Sequence, residues 1–185
     1  MRISVRTIAR TAILLVLCLA AQSLKSVSQF ITGPIVNTIL LLATLSVGLW
    51  SGLVISVLSP LLAALIGASP IMMMLPQMFP VVIVGNALLV LSTYFFYRWR
   101  QKNGPLIAGM AVGSILKSLF LWAMVSLVVI PLFGTQLKDA VKVTLTAMFS
   151  FNQLITAAIG SILAYLIWIP LRKALAKQEE AAPED

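Results

Sequence analysis

The sequence predicts an all-α integral membrane protein with six transmembrane helices and both termini in the cytoplasm, and three observations carry that reading. Composition is the first: 61% of the 185 residues are hydrophobic, 10% are charged and the mean hydropathy is +1.06, far from the balance of a soluble domain. The second is punctuation, because Gly, Pro and charge clusters divide the chain into six apolar stretches, each near the roughly 20 residues that cross a bilayer core as a helix. The third is the placement of positive charge, which falls where such a topology requires it.

Taken in order, the first span covers 8–24 and follows Arg2, Arg6 and Arg10. A secretory signal has a similar layout, but a first membrane helix is the simpler reading. Leu15, Val16 and Leu17 ahead of Cys18 also lack the small residues of a lipoprotein site. Cys18 is the single cysteine, so no internal disulfide can form, and it reads as a small core residue. The second and third spans, 31–49 and 51–68, flank a short turn from Gly48 to Gly52. An uncharged loop rich in Pro and Met, Ala68 to Met78, leads to the fourth span, 78–97, and a basic loop with Arg98, Arg100 and Lys102 leads to the fifth, 105–132.

Ahead of the sixth span, 148–171, the stretch GTQLKDAVKVTLTA alternates polar and apolar residues near helical spacing, which predicts a short helix at the membrane surface. The chain thus divides into a single six-helix domain, 1–173, and a solvated cytoplasmic tail, 174–185, whose KQEEAAPED composition predicts disorder. With six helices and the N-terminus inside, nine basic residues fall in the cytoplasm and three (Lys25, Lys138 and Lys142) outside. The net charge of +8 is explained by topology before any nucleic-acid reading is needed.

Lys117 is the one basic residue left over, near the middle of the fifth span. Counting about 1.5 Å per residue from each helix end, strong hydrogen-bonding groups gather in the outer half: Gln22, Asn37, Asn86, Asn152 and Gln153. Gln29, in the outer loop after the first span, can reach the same depth. A lysine at a helix centre costs about 2.5–3.5 kcal/mol on insertion scales, and unpaired amides add to that. The five acidic residues are Asp139 and four in the tail, so no span supplies a carboxylate. Lys117 therefore sits neutral, or is solvated by amide and backbone oxygens, or meets a ligand that supplies negative charge.

The amides taken alone are equally read as interhelical glue, and the lysine as a snorkelling side chain. On the same helix Gly109, Gly113 and Lys117 repeat every four residues, which admits a close neighbour and leaves space beneath the lysine. Trp122 is a wall of a pocket or part of the aromatic belt. Met72, Met73, Met74 and Met78 form a lid or an interfacial packing patch.

The absences exclude several classes. There is no histidine and no carboxylate within a span, so metal, aspartyl and Ser-His chemistries lack their residues and no enzyme, metal or cofactor is expected. Proton relays lack their groups too, and no GxxxxGK[ST] phosphate loop is present. An outward cavity with no visible means of driving transport leaves the energy to partners.

That combination, with RTIARTAILLVLCLA in the first span, ITGPIVNTILLLATLSVGLWSGLVISVLSPLLAALIG across the second and third, and Gly85-Asn86 in the fourth, resembles the substrate-binding S components of energy-coupling factor (ECF) vitamin transporters over about residues 4 to 173. The resemblance implies a six-helix subunit of the prokaryotic plasma membrane that captures a micronutrient from outside. It also implies docking on a transmembrane coupling subunit driven by two cytoplasmic ATPases, with toppling to release the cargo. The family's Ala-xxx-Ala contact surface on the first helix maps to Ala9, Ala12, Val16 and Ala20, with Val16 departing from the small-residue pattern. Nickel and cobalt members bind metal through an N-terminal histidine, which this chain lacks, so an organic ligand is implied.

The expected substrate-binding residues are Lys117 as anchor, Asn37, Asn86 and Asn152 as hydrogen-bonding groups, Gln29 as a loop contact and Trp122 as a stacking wall. A carboxylate, phosphate or strong carbonyl acceptor on the ligand suits the lysine. The alternative from another class is a scaffolding membrane protein whose amides are helix glue and whose basic arms bind anionic lipid or a soluble partner.

Overall fold

The computed structural model describes residues 4–24, 29–100 and 102–180. The regular secondary structure of the described residues is all helical, without strands. In chain order the helices are α1 (Val5–Ser23), α2 (Gln29–Ser46), α3 (Leu49–Leu65), α4 (Pro70–Met74), α5 (Met78–Arg100), α6 (Asn103–Met124), α7 (Ile130–Phe133), α8 (Asp139–Met148) and α9 (Phe151–Glu180). A five-residue π-helical segment, Val125–Val129, joins α6 to α7. Pro131 explains it: without an N–H, and with its ring crowding the preceding turn, it forces a wider turn, and the N–H of Ile130 reaches back to Val125 O.

Four helical runs are long and apolar enough to cross a membrane: Val5–Ser23, Met78–Trp99, Asn103–Phe133 and Asp139–Lys177. The two remaining apolar helices, Phe30–Ser46 and Leu49–Leu65, are shorter. At about 1.5 Å per residue they span roughly 26 Å, the lower limit for a bilayer core near 30 Å. Gly48 sets that limit for both, because its φ of 129° breaks the helix and its N–H caps α2 through Ala43 O at 3.0 Å. The expected turn from Gly48 to Gly52 is therefore narrower. Gly52 lies inside α3, where a Cβ would collide with the Thr44 hydroxyl of α2.

The most extensive packing joins α5 to α6 and α2 to α9, while α1 touches only α2 and α3 among its principal neighbours. Glycine explains the closest approaches. A Cβ on Gly113 would meet Leu89 O of α5 at 3.0 Å, and one on Gly109 would meet Phe96 Cβ at 2.7 Å. The backbone of α5 thus occupies the room expected beneath Lys117, so those two glycines serve packing and not a ligand space. Between α2 and α9, Gly160 admits Asn37 and Pro34, and Thr38 Oγ1 donates to Gly160 O at 3.0 Å.

The expected surface helix is α8, which presents one buried residue, Leu145, to an apolar cluster with Met72, Met78, Leu121, Val125 and Phe149. The uncharged loop is partly helical as α4. Helix α9 continues to Glu180, well past the expected end of the sixth span at 171 and through the first part of the expected tail, and Lys177 in its last turn complements the helix dipole. Residues 181–185 lie outside the described residues.

Candidate functional site

The inward face of α6 carries Met110, Ser114, Lys117, Ser118 and Leu121, a spacing of three and four residues that keeps them on one side of the helix. Lys117 is only 4% exposed. Its Nζ donates to Asn37 Oδ1 of α2 at 2.6 Å and to Asn86 Oδ1 of α5 at 2.8 Å. The two bonds offset the cost of taking the amine out of water. Among the described residues these are its hydrogen-bond partners, so the lysine ties three helices together through amide oxygens.

Local packing holds each group. Asn37 is 2% exposed and lies one turn beyond Gly33, whose missing Cβ lets Thr156 of α9 approach to 2.9 Å of that position. Asn86 is 4% exposed and follows Gly85, whose missing Cβ accommodates Leu121 at 3.0 Å. Ser118 Oγ donates to Ser150 O at 3.0 Å and fixes α6 against the start of α9. Ser114 and Ser161 meet at 3.1 Å one turn further in.

Beside the lysine lies a cavity of about 90 Å³. Its polar wall is Gln22, Thr32, Asn37, Ser59, Asn86, Lys117 and Gln153. Val36, Pro60, Met72, Val82, Leu121 and Phe149 supply the apolar part. Gln22 is oriented by its own bond, Nε2 donating to Ser59 O at 3.3 Å. Ligand pockets for drug-sized molecules run from about 300 Å³, so accepting one requires part of this wall to move outward. Met72, on the five-residue α4, and Phe149, in the turn between α8 and α9, are the wall residues carried by the shortest elements. Of the four methionines considered as a lid, Met72 and Met78 face inward at 5% and 0% exposure, whereas Met73 and Met74 point away at 63% and 65%.

The structure brings together three of the six expected substrate-binding residues, Lys117, Asn37 and Asn86. Two others it places elsewhere. Trp122 is 42% exposed and is not in the cavity wall, because it follows the inward Leu121 and is turned about 100° round the helix. Asn152 is half-buried and its neighbour Gln153 lines the cavity instead, the same one-residue rotation on α9. Gln29 opens α2, with its side chain outside the described residues.

Sequence reasoning placed Gln22 and Gln153 at the right depth without assigning them to the site. Ser59 and Thr32 had no distinguishing signal, since hydroxyls within helices commonly bond the carbonyl four residues back. On α1, Ala9, Ala12, Val16 and Ala20 are all exposed, together with Ile8, Ile13 and Leu17. Among the described residues no group of three or more His, Cys, Asp or Glu is placed to hold a metal.

No curated protein and no solved structure matches the chain. The family profile described as "ECF transporter, substrate-specific component" matches residues 6–172, nearly the whole length. The chain therefore belongs to the substrate-specific components of ECF transporters, as a multi-pass membrane transport subunit that binds a small substrate and works with ECF membrane and ATPase subunits.

Proposed function

We propose that this chain captures a small, vitamin-like organic nutrient from outside the cell with high affinity, and holds it beside Lys117 until partner subunits drive its release inward. The carrying observation is a nearly fully buried lysine amine, met by amide oxygens from two other helices, on the wall of a cavity. Ionisable groups at membrane depth are costly and mark ligand or ion sites by default. Six spans follow if α2 and α3 cross at the lower length limit, with the N-terminal arm, Arg98, Arg100, Lys102 and the end of α9 in the cytoplasm of a prokaryotic plasma membrane.

In this reading Lys117, Asn37 and Asn86 anchor the ligand, Gln22 and Gln153 bond its periphery, and Met72 with Phe149 close over it. The coupling subunit docks on the exposed face of α1 that includes Ala9, Ala12, Val16 and Ala20. Hydrolysis of ATP takes place in two cytoplasmic ATPases, since the outward cavity carries no group able to drive the cycle.

A second reading, a scaffold with polar interhelical glue, draws on the same bonds, because the lysine satisfies both amide oxygens without a ligand. One experiment separates the two. The protein is purified from cells grown in rich medium and its small-molecule content is read by mass spectrometry, beside Lys117→Met. Binding predicts a molecule retained near one per chain that disappears in the variant, with the fold preserved. Nothing retained by the native chain supports the scaffold, and the same molecule retained by Lys117→Met would remove the lysine as the anchor.

A further inference from the structure

The chemistry of the lysine's surroundings narrows the ligand class, and this step rests on the reading of the cavity as a ligand site. Both neighbouring amides turn their oxygens to Lys117 Nζ, at 2.6 and 2.8 Å. An amide whose oxygen is engaged has its NH₂ group left to offer. Protonated, the Lys117 amine has three donors, of which the amide oxygens take two. The anchor then offers mainly donors, one remaining N–H of the cation and two amide NH₂ groups, beside the second lone pair of each amide oxygen. Among the described residues no carboxylate lies in the cavity wall, and Lys117 is its one ionisable side chain.

We infer that Lys117 is protonated and that its ligand is a monoanion, a small organic carboxylate with an otherwise uncharged, mainly saturated body. A ligand offering only a neutral carbonyl accepts the donors but leaves a buried positive charge without an opposite charge, which is the expensive arrangement. A phosphomonoester carries about −1.5 to −2 charge and leaves an excess negative charge in an apolar bundle. A carboxylate matches the single cation, and its two oxygens accept from the ammonium and an amide together. An amine is disfavoured, because the anchor meets it with a like charge and no opposite one.

The rest of the wall describes the body. Val36, Pro60, Met72, Val82 and Leu121 are aliphatic or thioether, and Phe149 is the only aromatic ring among the described residues of the wall. A flat heteroaromatic ligand held between two aromatic faces has no such pair here. Gln22 and Gln153 sit where hydroxyl or amide substituents on a saturated chain can bond to them. A carboxylate can come from a water-soluble metabolite or from a fatty acid of the bilayer. The polar wall favours the soluble source, since a bare alkyl chain makes no hydrogen bond with the amides and hydroxyls that line it.

The test uses the full chain in detergent, freed of bound molecules by partial unfolding and refolding. Thermal stabilisation is measured with aliphatic monocarboxylates of four to ten carbons bearing hydroxyl or amide groups, each beside its own primary amide and the corresponding amine, and with palmitate. The molecule retained on purification is identified in parallel. Stabilisation by at least one of these acids and not by its amide or amine is expected, together with a retained molecule that carries one carboxylate. Asn37→Asp, which supplies the lysine with an internal anion in the same volume, should weaken acid binding about a hundredfold while the protein stays folded. A retained molecule that is neutral, cationic or a phosphate, preference for palmitate, or acid binding unchanged in Asn37→Asp each overturns the carboxylate class and leaves the binding subunit standing. A native chain that retains nothing and responds to no probe removes the ligand site itself.

Discussion

Gly160 tests whether packing between α2 and α9 sets the geometry of the site, although the residue is not in the cavity wall. In Gly160→Ala the new Cβ would lie 2.6 Å from Asn37 Cβ, 2.7 Å from Pro34 O and 3.3 Å from Thr38 N. Ordinary contact begins at 3.4 Å, so 3.4 Å less 2.6 Å requires the two helices to part locally by about 0.8 Å. Two of the three obstructing atoms are backbone, which no side-chain rotation relieves. Overpacking of this kind costs about 1–3 kcal/mol.

The displaced residue is the one that accepts from Lys117 at 2.6 Å, and a shift of that size away from the amine takes the bond beyond good hydrogen-bonding length. Losing a bond to a charged group costs about 1.5–3 kcal/mol, or roughly ten- to hundredfold in affinity for a ligand that depends on the same amine. The assay pairs thermal unfolding in detergent with quantitation of the retained small molecule, beside Ala158→Ser on the exposed side of the same helix. Gly160→Ala should melt several degrees lower and retain little ligand, while the control matches the native chain. Native melting in Gly160→Ala would refute the close approach of α2 and α9, and lowered melting with full retention would show that Asn37 is positioned independently of that contact.

Two further outcomes follow from single residues. Gly48→Ala meets no atom within 4 Å, yet holds φ at 129°, so the whole effect is backbone strain of about 1–3 kcal/mol. A lower melting temperature with unchanged ligand retention is expected, and unchanged melting would mean that the turn relaxes freely. Gln22→Leu removes the bond to Ser59 O at 3.3 Å and leaves that carbonyl buried, costing about 1–2 kcal/mol by thermal or denaturant unfolding. It should also weaken ligand retention less than Lys117→Met does, an order that reverses if Gln22 is the principal anchor.

The expectations that held and those that shifted separate on physical grounds. Helix existence was legible because apolar runs near membrane length have few alternatives, and α8 as a helix because its polar and apolar residues alternate at helical spacing. The convergence of Lys117, Asn37 and Asn86 was legible as depth, since distance along a helix is set by residue count. Rotation about the helix was not. Trp122 and Asn152 sat at suitable depths, but one residue of rotation, about 100°, put Leu121 and Gln153 in the wall instead.

By itself the sequence determined that this chain is helical, lives in a membrane and carries one cation with no acidic counterpart inside any span. Composition and spacing are local properties, and hydrocarbon leaves a backbone few ways to satisfy its hydrogen bonds. Only the tertiary structure decided that Asn37 and Asn86 give their oxygens to that cation, that Gly109 and Gly113 admit the α5 backbone, and that Met72 and Phe149 reach the cavity. Those outcomes depend on how each helix is turned against its neighbours, which is settled by glycine contacts between chain segments far apart in sequence and by the complementarity of whole helix faces.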